Sequence, residues 1–343
     1  MNGHQTLKAE PWPVHLLGLI NPLLVITGNL LGGAYTLMGL VFVWLLCPML
    51  DLALGESKVT RPPRSSSLPF TAILWTHGLL HFVMLASFVW FVLHSGMHWW
   101  LVSASLSCGL AAATSAIVTA HELGHHRPKS PGWWLAHAML HSILYGHYTT
   151  EHNRNHHKHV ATAADPASAR ASQSLWAFWP ASIAGQFVSA QRIHAKKGKT
   201  GLRNPVLQGL VLQLLAFALL LSAHLYGQAW AAPLALGWFT LSALAILTLE
   251  YVNYIRHWGL RRHGDAHKFQ AAHAWNTEAR WSRWSLLELT RHSDHHLRAS
   301  QPFWRLKAHP QAPSLPAGYY ACWWPCLIPP LWRRLMAGRA PGL

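Results

Sequence analysis

The chain has 343 residues, of which 51% are apolar and only 11% are charged. A typical soluble domain is about one quarter charged, so this composition argues against a soluble protein and favours a membrane protein. The 20 Trp residues and long apolar runs exclude a disordered chain, and four Cys residues are too few for a disulfide scaffold.

Six apolar runs follow one another along the chain, each close to the length that crosses a bilayer. They cover residues 14–32, 35–54, 70–94, 99–120, 205–226 and 229–252. About 20 helical residues, rising 1.5 Å each, span the roughly 30 Å of hydrocarbon. The first run is too long for a cleavable signal peptide and leads directly into the second. We therefore predict a single all-α integral membrane domain over residues 1–343, with six transmembrane helices paired as three hairpins.

The basic residues predict how this domain lies in the membrane. The tight connections at 33–34, 95–98 and 227–228 contain no Lys or Arg, whereas the long segments 121–204 and 253–343 contain many. Under the positive-inside rule, both termini and both long segments are cytoplasmic. The net charge of +16 is then a topology signal with some attraction to the lipid bilayer, and nucleic acid is not an expected partner.

Histidine is the unusual residue of this sequence, because 26 His stand against 11 Asp plus Glu. Three clusters carry metal-ligand spacing: HELGHH at 121–126, EHNRNHHKH at 151–159 and RHSDHH at 291–296. Residues three or four apart share one face of a helix, so each cluster can direct several imidazoles to one point. Their number exceeds one tetrahedral zinc site, and imidazole suits Fe, Cu, Zn and Ni alike. The pattern predicts two metal ions in a cytoplasmic helical cap, without choosing the metal.

Acidic side chains near these clusters are candidates for holding the histidines in place. A ligating His usually donates its second ring N–H to a carboxylate or carbonyl group. Glu122 lies inside the first cluster, Glu151 begins the second and Asp294 lies inside the third. We therefore predict that these three carboxylates orient the ligands. No nucleotide-binding motif is apparent, so electrons for any redox reaction would come from a separate protein.

These motifs resemble the integral-membrane fatty acid desaturase and hydroxylase superfamily. Further segments narrow the resemblance to the alkane 1-monooxygenase family: NYIRHWG at 253–259, DPASAR at 165–170, LPAGY at 315–319 and IPPLW at 328–332. The resemblance implies a di-iron centre (Fe2+/Fe3+) that uses O2 as co-substrate to hydroxylate a terminal carbon of an n-alkane, or a similar apolar chain, to a primary alcohol. The positions that match its ligands are His121, His125, His152, His156, His157, His257, His292, His295 and His296.

The resemblance also implies partners and a location. Electrons would come from rubredoxin, or another iron–sulfur donor, with its reductase, and the apolar substrate would enter from the membrane. The location would be the bacterial inner (plasma) membrane, with the active site in the cytoplasm. No catalytic residue is expected apart from the metal ligands. We predict that Trp44, His81, Phe88 and Trp238 line the substrate channel.

Alternatives remain open at this point. An alkyl-aromatic methyl hydroxylase, or a fatty acid desaturase or hydroxylase, would share the same histidine clusters. A histidine-rich membrane metal transporter is the non-enzymatic alternative, although a transporter places its ligands near the middle of the bilayer. The chain also departs from the family at Arg256, where relatives have Glu before the position of His257. This cation could weaken or reorient His257.

Overall fold

The computed structural model describes residues 9–62, 66–262 and 268–339. Across these ranges the protein is helical, and apart from two isolated β-bridges it contains no strand. This confirms the predicted all-α class. Parts of the predicted cytoplasmic segments, at 263–267 and 340–343, lie outside the described residues.

Thirteen helices of the described chain organise the molecule. Six of them, α1–α4, α8 and α9, are long and apolar enough to cross a membrane, as predicted. In chain order the helices are α1 (Trp12–Leu31), α2 (Gly33–Ala53), α3 (Leu68–Ser95), α4 (Trp100–Gly124), α5 (Pro131–Ser142), α6 (148–159), α7 (Leu175–Ala195), α8 (Pro205–Leu225), α9 (Ala231–His257), α10 (Arg280–Ser285), α11 (His292–Leu297), α12 (Tyr319–Cys326) and α13 (Pro329–Met336).

Two spans run further than hydropathy alone predicts. The fourth and sixth apolar runs end at 120 and 252, but α4 continues to Gly124 and α9 to His257. The extra turns are polar, and they remain helical because they are buried under the cap instead of meeting solvent. Histidines at both ends are therefore carried on rigid helices and not on loops.

Short polar residues begin the helices that connect the spans. Ser130 and Ser174 accept hydrogen bonds from the backbone N–H three residues on, at the starts of α5 and α7. Asn204 does the same for the N–H of Val206 at 3.0 Å, and Pro205 follows it as the first residue of α8. These are sequence-encoded N-caps, because a side-chain oxygen satisfies a backbone donor that the helix leaves unpaired.

The centre of the bundle is α4, with 83% of its apolar window buried, whereas only 11% of that of α8 is buried. Helix α9 packs directly along α4. A Cβ atom placed on Gly109 would lie 2.7 Å from the carbonyl oxygen of Leu241, so only glycine allows this approach. The exposed leucines of α8 face outward, as expected for a helix that contacts lipid.

Asp51 joins the end of α2 to the cap. Its Oδ1 accepts hydrogen bonds from the backbone N–H and hydroxyl of Ser282, at 3.0 and 2.8 Å. Its Oδ2 accepts from the N–H groups of Tyr320 and Ala321, at 3.0 and 3.2 Å. One buried carboxylate thus fixes the starts of α10 and α12 on the span bundle, at the end where the histidines lie.

Candidate metal centre

The structure brings all nine predicted ligand histidines together between the bundle and the cap. They arrive from four separate parts of the chain, so tertiary packing and not local sequence assembles the site. The last turn of α4 and the residue after it carry His121 and His125, α6 carries His152, His156 and His157, α9 ends on His257, and α11 carries His292, His295 and His296.

Eight of these histidines form two groups of four. Within each group one ring nitrogen per residue lies within 4.8 Å of the others. The first group is His121, His125, His152 and His295, and the second group is His156, His257, His292 and His296. Seven of the eight side chains are buried and His125 is half-buried.

His157 lies between the two groups. Its Nε2 atom is 3.0 Å from Nε2 of His152 and 3.1 Å from Nε2 of His295, both in the first group. Its ring centroid is 4.6 Å from that of His296 in the second group. The ninth predicted ligand can therefore serve either group.

A π-helical segment explains how one short stretch supplies both groups. Residues His152–His156 form a π-helix inside α6, in which each backbone bond spans five residues instead of four. The α-helical spacing assumed from the sequence predicts that His152 and His156 point to one place. In the wider turn they instead serve different groups, with ring centroids 5.2 Å apart.

The ring nitrogens fit metal ions. The Nε2 atoms of His121, His125 and His156 are buried and have no hydrogen-bond partner. In the second group, the Nε2 atoms of His257 and His296 lie 3.0 and 2.9 Å from Nε2 of His292. A neutral imidazole offers one ring nitrogen as an acceptor, so converging lone pairs need a cation between them. The donor set therefore suits transition-metal ions.

Burial keeps the ligand histidines in the form that binds metal. Burial, reinforced by neighbouring histidines, lowers the pKa values of His152, His292 and His295 well below the usual value. It lowers the pKa of His125 to about 4. These imidazoles are neutral near pH 7, and only a deprotonated ring nitrogen can coordinate a metal.

Asp165 orients one ligand and was not predicted to do so. Burial lowers the pKa of His156, but the carboxylate of Asp165, 2.9 Å from its Nδ1, outweighs burial and raises the pKa above the usual value. The hydroxyl of Ser168 and the N–H of Ala167 fix Asp165 in turn, at 2.6 and 3.1 Å. The sequence signal was available, because DPASAR supplies a rare acid close behind the second cluster.

The three carboxylates predicted to orient ligands have other hydrogen-bond partners. Glu122 accepts from the backbone N–H of Phe303 at 3.0 Å. Glu151 accepts from an asparagine of its own helix at 2.8 Å. Asp294 binds side chains and backbone of the segment 298–309. Each therefore fixes the chain that carries a ligand, and none of their hydrogen bonds among the described residues reaches a predicted ligand.

A largely apolar cavity lies beside the first group. It contains about 660 Å³ of empty space, part of it open to the surroundings. One wall is a stripe along α4, and other walls come from α2, α9 and the cap. The α4 stripe consists of Leu110, Ala113, Thr114, Ile117, Val118 and His121. Two further π-helical segments, Phe42–Leu46 and Ala112–Ile117, contribute to these walls.

Of the four predicted channel residues, Trp44 lines this cavity. His81 and Trp238 lie elsewhere. The Nε2 atom of His81 is hydrogen-bonded to the hydroxyl of Ser142, and the indole N–H of Trp238 donates to the carbonyl oxygen of Ser142, each at 2.8 Å. Phe88 of α3 is fully buried, and its ring packs against Gly237 of α9. All three lie inside predicted spans, and hydropathy does not indicate which face of a span meets the cavity.

Arg256 does not displace the histidine that follows it. His257 remains in the second group, while the Arg256 side chain turns to the cavity wall. There its Nε donates to the hydroxyl of Tyr319 at 3.1 Å. Successive residues of a helix point in different directions, so the cation and the ligand occupy different faces of α9.

Comparison with known proteins agrees with this arrangement. The fatty acid desaturase family matches residues 97–326. The chain is 31% identical to alkane 1-monooxygenase 2 of Alcanivorax borkumensis over 313 residues, which cover 87% of this chain and 81% of that protein. It is 31% identical to alkane 1-monooxygenase of Ectopseudomonas oleovorans over 310 residues, 84% of this chain and 74% of that protein.

A related enzyme of different name is also similar. The hydroxylase component of xylene/toluene monooxygenase from Pseudomonas putida is 30% identical over 244 residues, covering 68% of this chain and 62% of that protein. The two alkane 1-monooxygenases named above match a larger share of the chain. With six spans, the histidine groups and these similarities together, the chain belongs to the alkane 1-monooxygenase family of integral membrane proteins.

Proposed function

We propose that the protein is an O2-dependent monooxygenase that hydroxylates a terminal carbon of an n-alkane, or a similar apolar chain, to a primary alcohol. The observation that carries this proposal is the apolar cavity that ends at His121 of the first histidine group. Relatives named alkane 1-monooxygenase, similar over most of the chain, support the same reaction.

The nine histidines would hold two iron ions, four or five imidazoles to each. When bound, iron cycling between Fe2+ and Fe3+ supplies the redox chemistry that activates O2. The chain itself supplies neutral imidazoles, the Asp165 carboxylate that holds His156, and a buried site from which water is excluded.

The cavity would position the substrate. An apolar chain concentrates in the bilayer, because each CH2 group that leaves water contributes about 0.8 kcal/mol, and it would enter the cavity from there. The stripe along α4 runs from Leu110 to His121, about 16 Å at 1.5 Å per residue. A chain that lies along this stripe brings one end to the histidines.

We further propose rubredoxin, or another iron–sulfur protein with its reductase, as the electron donor. The cap would face the cytoplasm of a bacterium, with the spans in the inner membrane. Exposed Lys196, Lys197 and Lys199 after α7 offer positive charge at that face, which would attract an acidic carrier and increase its rate of association.

The proposal is tested on the purified protein in lipid nanodiscs, with a rubredoxin system, dodecane and 18O2. We expect iron bound to the wild-type protein and labelled 1-dodecanol as product. His156→Ala and His296→Ala should each lose iron and product, whereas His94→Ala, which changes an exposed histidine of α3, should retain both. Full alcohol production by either ligand variant at normal expression would exclude this assignment.

An alkyl-aromatic methyl hydroxylase is a second candidate. The similarity to the hydroxylase component of xylene/toluene monooxygenase favours it. Turnover of alkylbenzenes compared with alkanes of equal carbon number separates the two candidates. An alkene in place of an alcohol would instead identify a desaturase.

A further inference from the structure

Arg256 is a buried cation in the wall of the substrate cavity. Its side chain is 1% exposed, and it lines the cavity beside His121. The Nε atom donates to the Tyr319 hydroxyl, but Nη2 is buried and has no hydrogen-bond partner in the described part of the chain. Among the described residues, no carboxylate lies within ion-pair distance of this guanidinium.

An arrangement of this kind is costly without a ligand. A charge taken out of water needs a counter-charge or full hydrogen bonding, and a buried donor left unpaired costs about 1–3 kcal/mol. The guanidinium is a planar fork of donors, whose best match is a carboxylate that accepts two parallel hydrogen bonds. The unpaired side of Arg256 therefore indicates an anionic oxygen ligand in the cavity.

Two more unpaired polar groups lie in the same cavity. The hydroxyls of Tyr148 and Thr248 are buried, have no hydrogen-bond partner, and line the cavity together with Arg256. The remaining wall is mainly Leu, Ile, Val and aromatic side chains. The cavity therefore combines a long apolar surface with unpaired polar groups at two levels, because Thr248 lies eight residues, about 12 Å, before Arg256 along α9.

Arg256 and Tyr148 lie at the histidine end of the cavity. Tyr148 stacks on His152 of the first group, with ring centroids 5.1 Å apart. Arg256 directly precedes His257, which belongs to the second group. A head group bound there would lie close to the metal centre, with its apolar chain directed along α4 toward Leu110.

We propose that the cavity binds a long-chain carboxylate, whose head group is held by Arg256 and Tyr148, and that the centre oxidises a carbon close to that head group. This proposal rests on the proposed function, because the same centre performs the oxidation, and it adds an anionic amphiphile as a second class of substrate. One atom of O2 enters a C–H bond as a hydroxyl group. The other is reduced to water with two electrons from the iron–sulfur donor and two protons.

Binding tests the proposal without turnover. The purified protein, in nanodiscs of zwitterionic lipid, is titrated with radiolabelled dodecanoate and with methyl dodecanoate, a neutral ligand with the same acyl chain. Charge-assisted hydrogen bonds are worth about 1.5–3 kcal/mol, so dodecanoate should bind roughly tenfold or more tightly than the ester. Product analysis should place the new hydroxyl within a few carbons of the carboxylate.

Variants assign the preference to Arg256. Arg256→Gln should reduce the preference for dodecanoate to near one, and Arg256→Lys, which keeps the charge but loses the fork, should retain part of it. Tyr148→Phe should weaken dodecanoate binding alone. Arg334→Gln removes the same charge from an exposed position on α13 and should leave the preference unchanged. Unaltered binding of the ester by Arg256→Gln confirms that this variant is folded.

Two results would overturn the proposal: equal binding of dodecanoate and ester by the wild type, or a carboxylate preference that persists in Arg256→Gln. Either would mean that Arg256 supports Tyr319 or holds water only. Failure of the proposed function gives a different result from failure of this proposal. In that case the protein would still prefer the carboxylate, but it would oxidise no alkane, ester or carboxylate in the presence of O2 and the electron donor.

Discussion

Among the predicted ligand histidines, His156 is the one whose second ring nitrogen has a carboxylate partner within the described residues. Asp165 is buried, accepts from Nδ1 and is itself held by Ser168. The hydrogen bond fixes the tautomer, so that Nε2 carries the lone pair directed at the second group. Carboxylates in this position make a ligating histidine more basic and restrict its rotation.

Replacing Asp165 with Asn should therefore weaken metal binding without removing a ligand. We expect a 10–100-fold loss of iron affinity or activity, the range found for residues that support metal ligands. Chelator competition on the purified protein measures the affinity. Ser168→Ala keeps the carboxylate and should have a smaller effect, and iron affinity equal to wild type in Asp165→Asn would contradict this role.

At this scale the sequence predicts that the histidines group together, but it does not predict which residues hold their rings in place. Coordination requires imidazoles at short spacings, so the clusters are visible in the chain. The partner of a second ring nitrogen depends instead on which loop packs nearby. Asp165, which was not predicted, contacts His156, whereas Asp294, which was predicted, binds the backbone of Lys307. Arg256 was recognised as a departure from the family, but only the packing of α9 reveals that it faces the cavity.

Among the helices, α2 departs from regular geometry where it forms the cavity wall. Pro48 lacks the N–H that would bond to the carbonyl of Trp44, and that carbonyl instead accepts from the Trp324 indole at 2.9 Å. The preceding turn is π-helical. Hydropathy predicts that a span exists here, but it does not predict the π-helical turn within it. Trp324, which replaces the hydrogen bond that Pro48 cannot make, is remote in sequence.

Asp51 is the element-scale anchor, and Asp51→Ala should destabilise the cap. The change leaves several buried N–H donors unpaired, at about 1–3 kcal/mol each. The midpoint of thermal unfolding in detergent should be clearly lower than that of the wild type. The histidines of α11 should release iron at a lower temperature than in the wild type. Glu56→Gln, which removes an exposed charge close by, is the matched control. An unchanged midpoint for Asp51→Ala would show that the cap is held by other contacts.

The buried ion network beneath α11 predicts a pH dependence of stability. Burial alone would raise the pKa of Glu288, but Arg283 and Arg291 outweigh burial and hold it below the ordinary value of 4.5. A carboxylate with a depressed pKa stabilises the folded state fully above the unfolded pKa and loses this contribution as the pH falls through the folded pKa. The wild type should therefore lose stability below about pH 4.5.

Glu288→Gln separates this network from general acid unfolding. The variant should be less stable than wild type at pH 7, on the order of 1–3 kcal/mol, and its stability should change less between pH 6 and the acid limit. Unfolding midpoints of both proteins across this range provide the measurement. Parallel pH curves for the two proteins would exclude Glu288 as the titrating group.

At the scale of the molecule, hydropathy and charge predict the six spans because membrane insertion depends on those properties alone. The convergence of α4 and α9 on one site is less apparent in the sequence, since glycines such as Gly109 set their approach. The second histidine cluster follows α4 without an intervening span, and the pair of spans α8 and α9 returns the third cluster to the same end as His121.

The proposed orientation, with the cap in the cytoplasm, predicts which loops a membrane-impermeant maleimide reaches. All four native cysteines are buried, so the background should be low. Met97→Cys, in an exposed tight connection, should be labelled in intact bacterial spheroplasts, and Lys199→Cys only after permeabilisation. Inverted membrane vesicles should reverse the pattern, and labelling of Lys199→Cys in intact spheroplasts would place the cap outside.

Helix α4 carries both the cavity stripe and His121. Gly109 seats this helix against the backbone of α9, which ends on a ligand of the other group. A larger side chain at Ala113 would displace α4. Because α4 packs closely on α9 at Gly109, this displacement would move histidines of both groups. The shape of the cavity and the positions of the histidines are thus coupled. A substitution that fits the cavity to a substrate of different length would also change the geometry of the histidine groups.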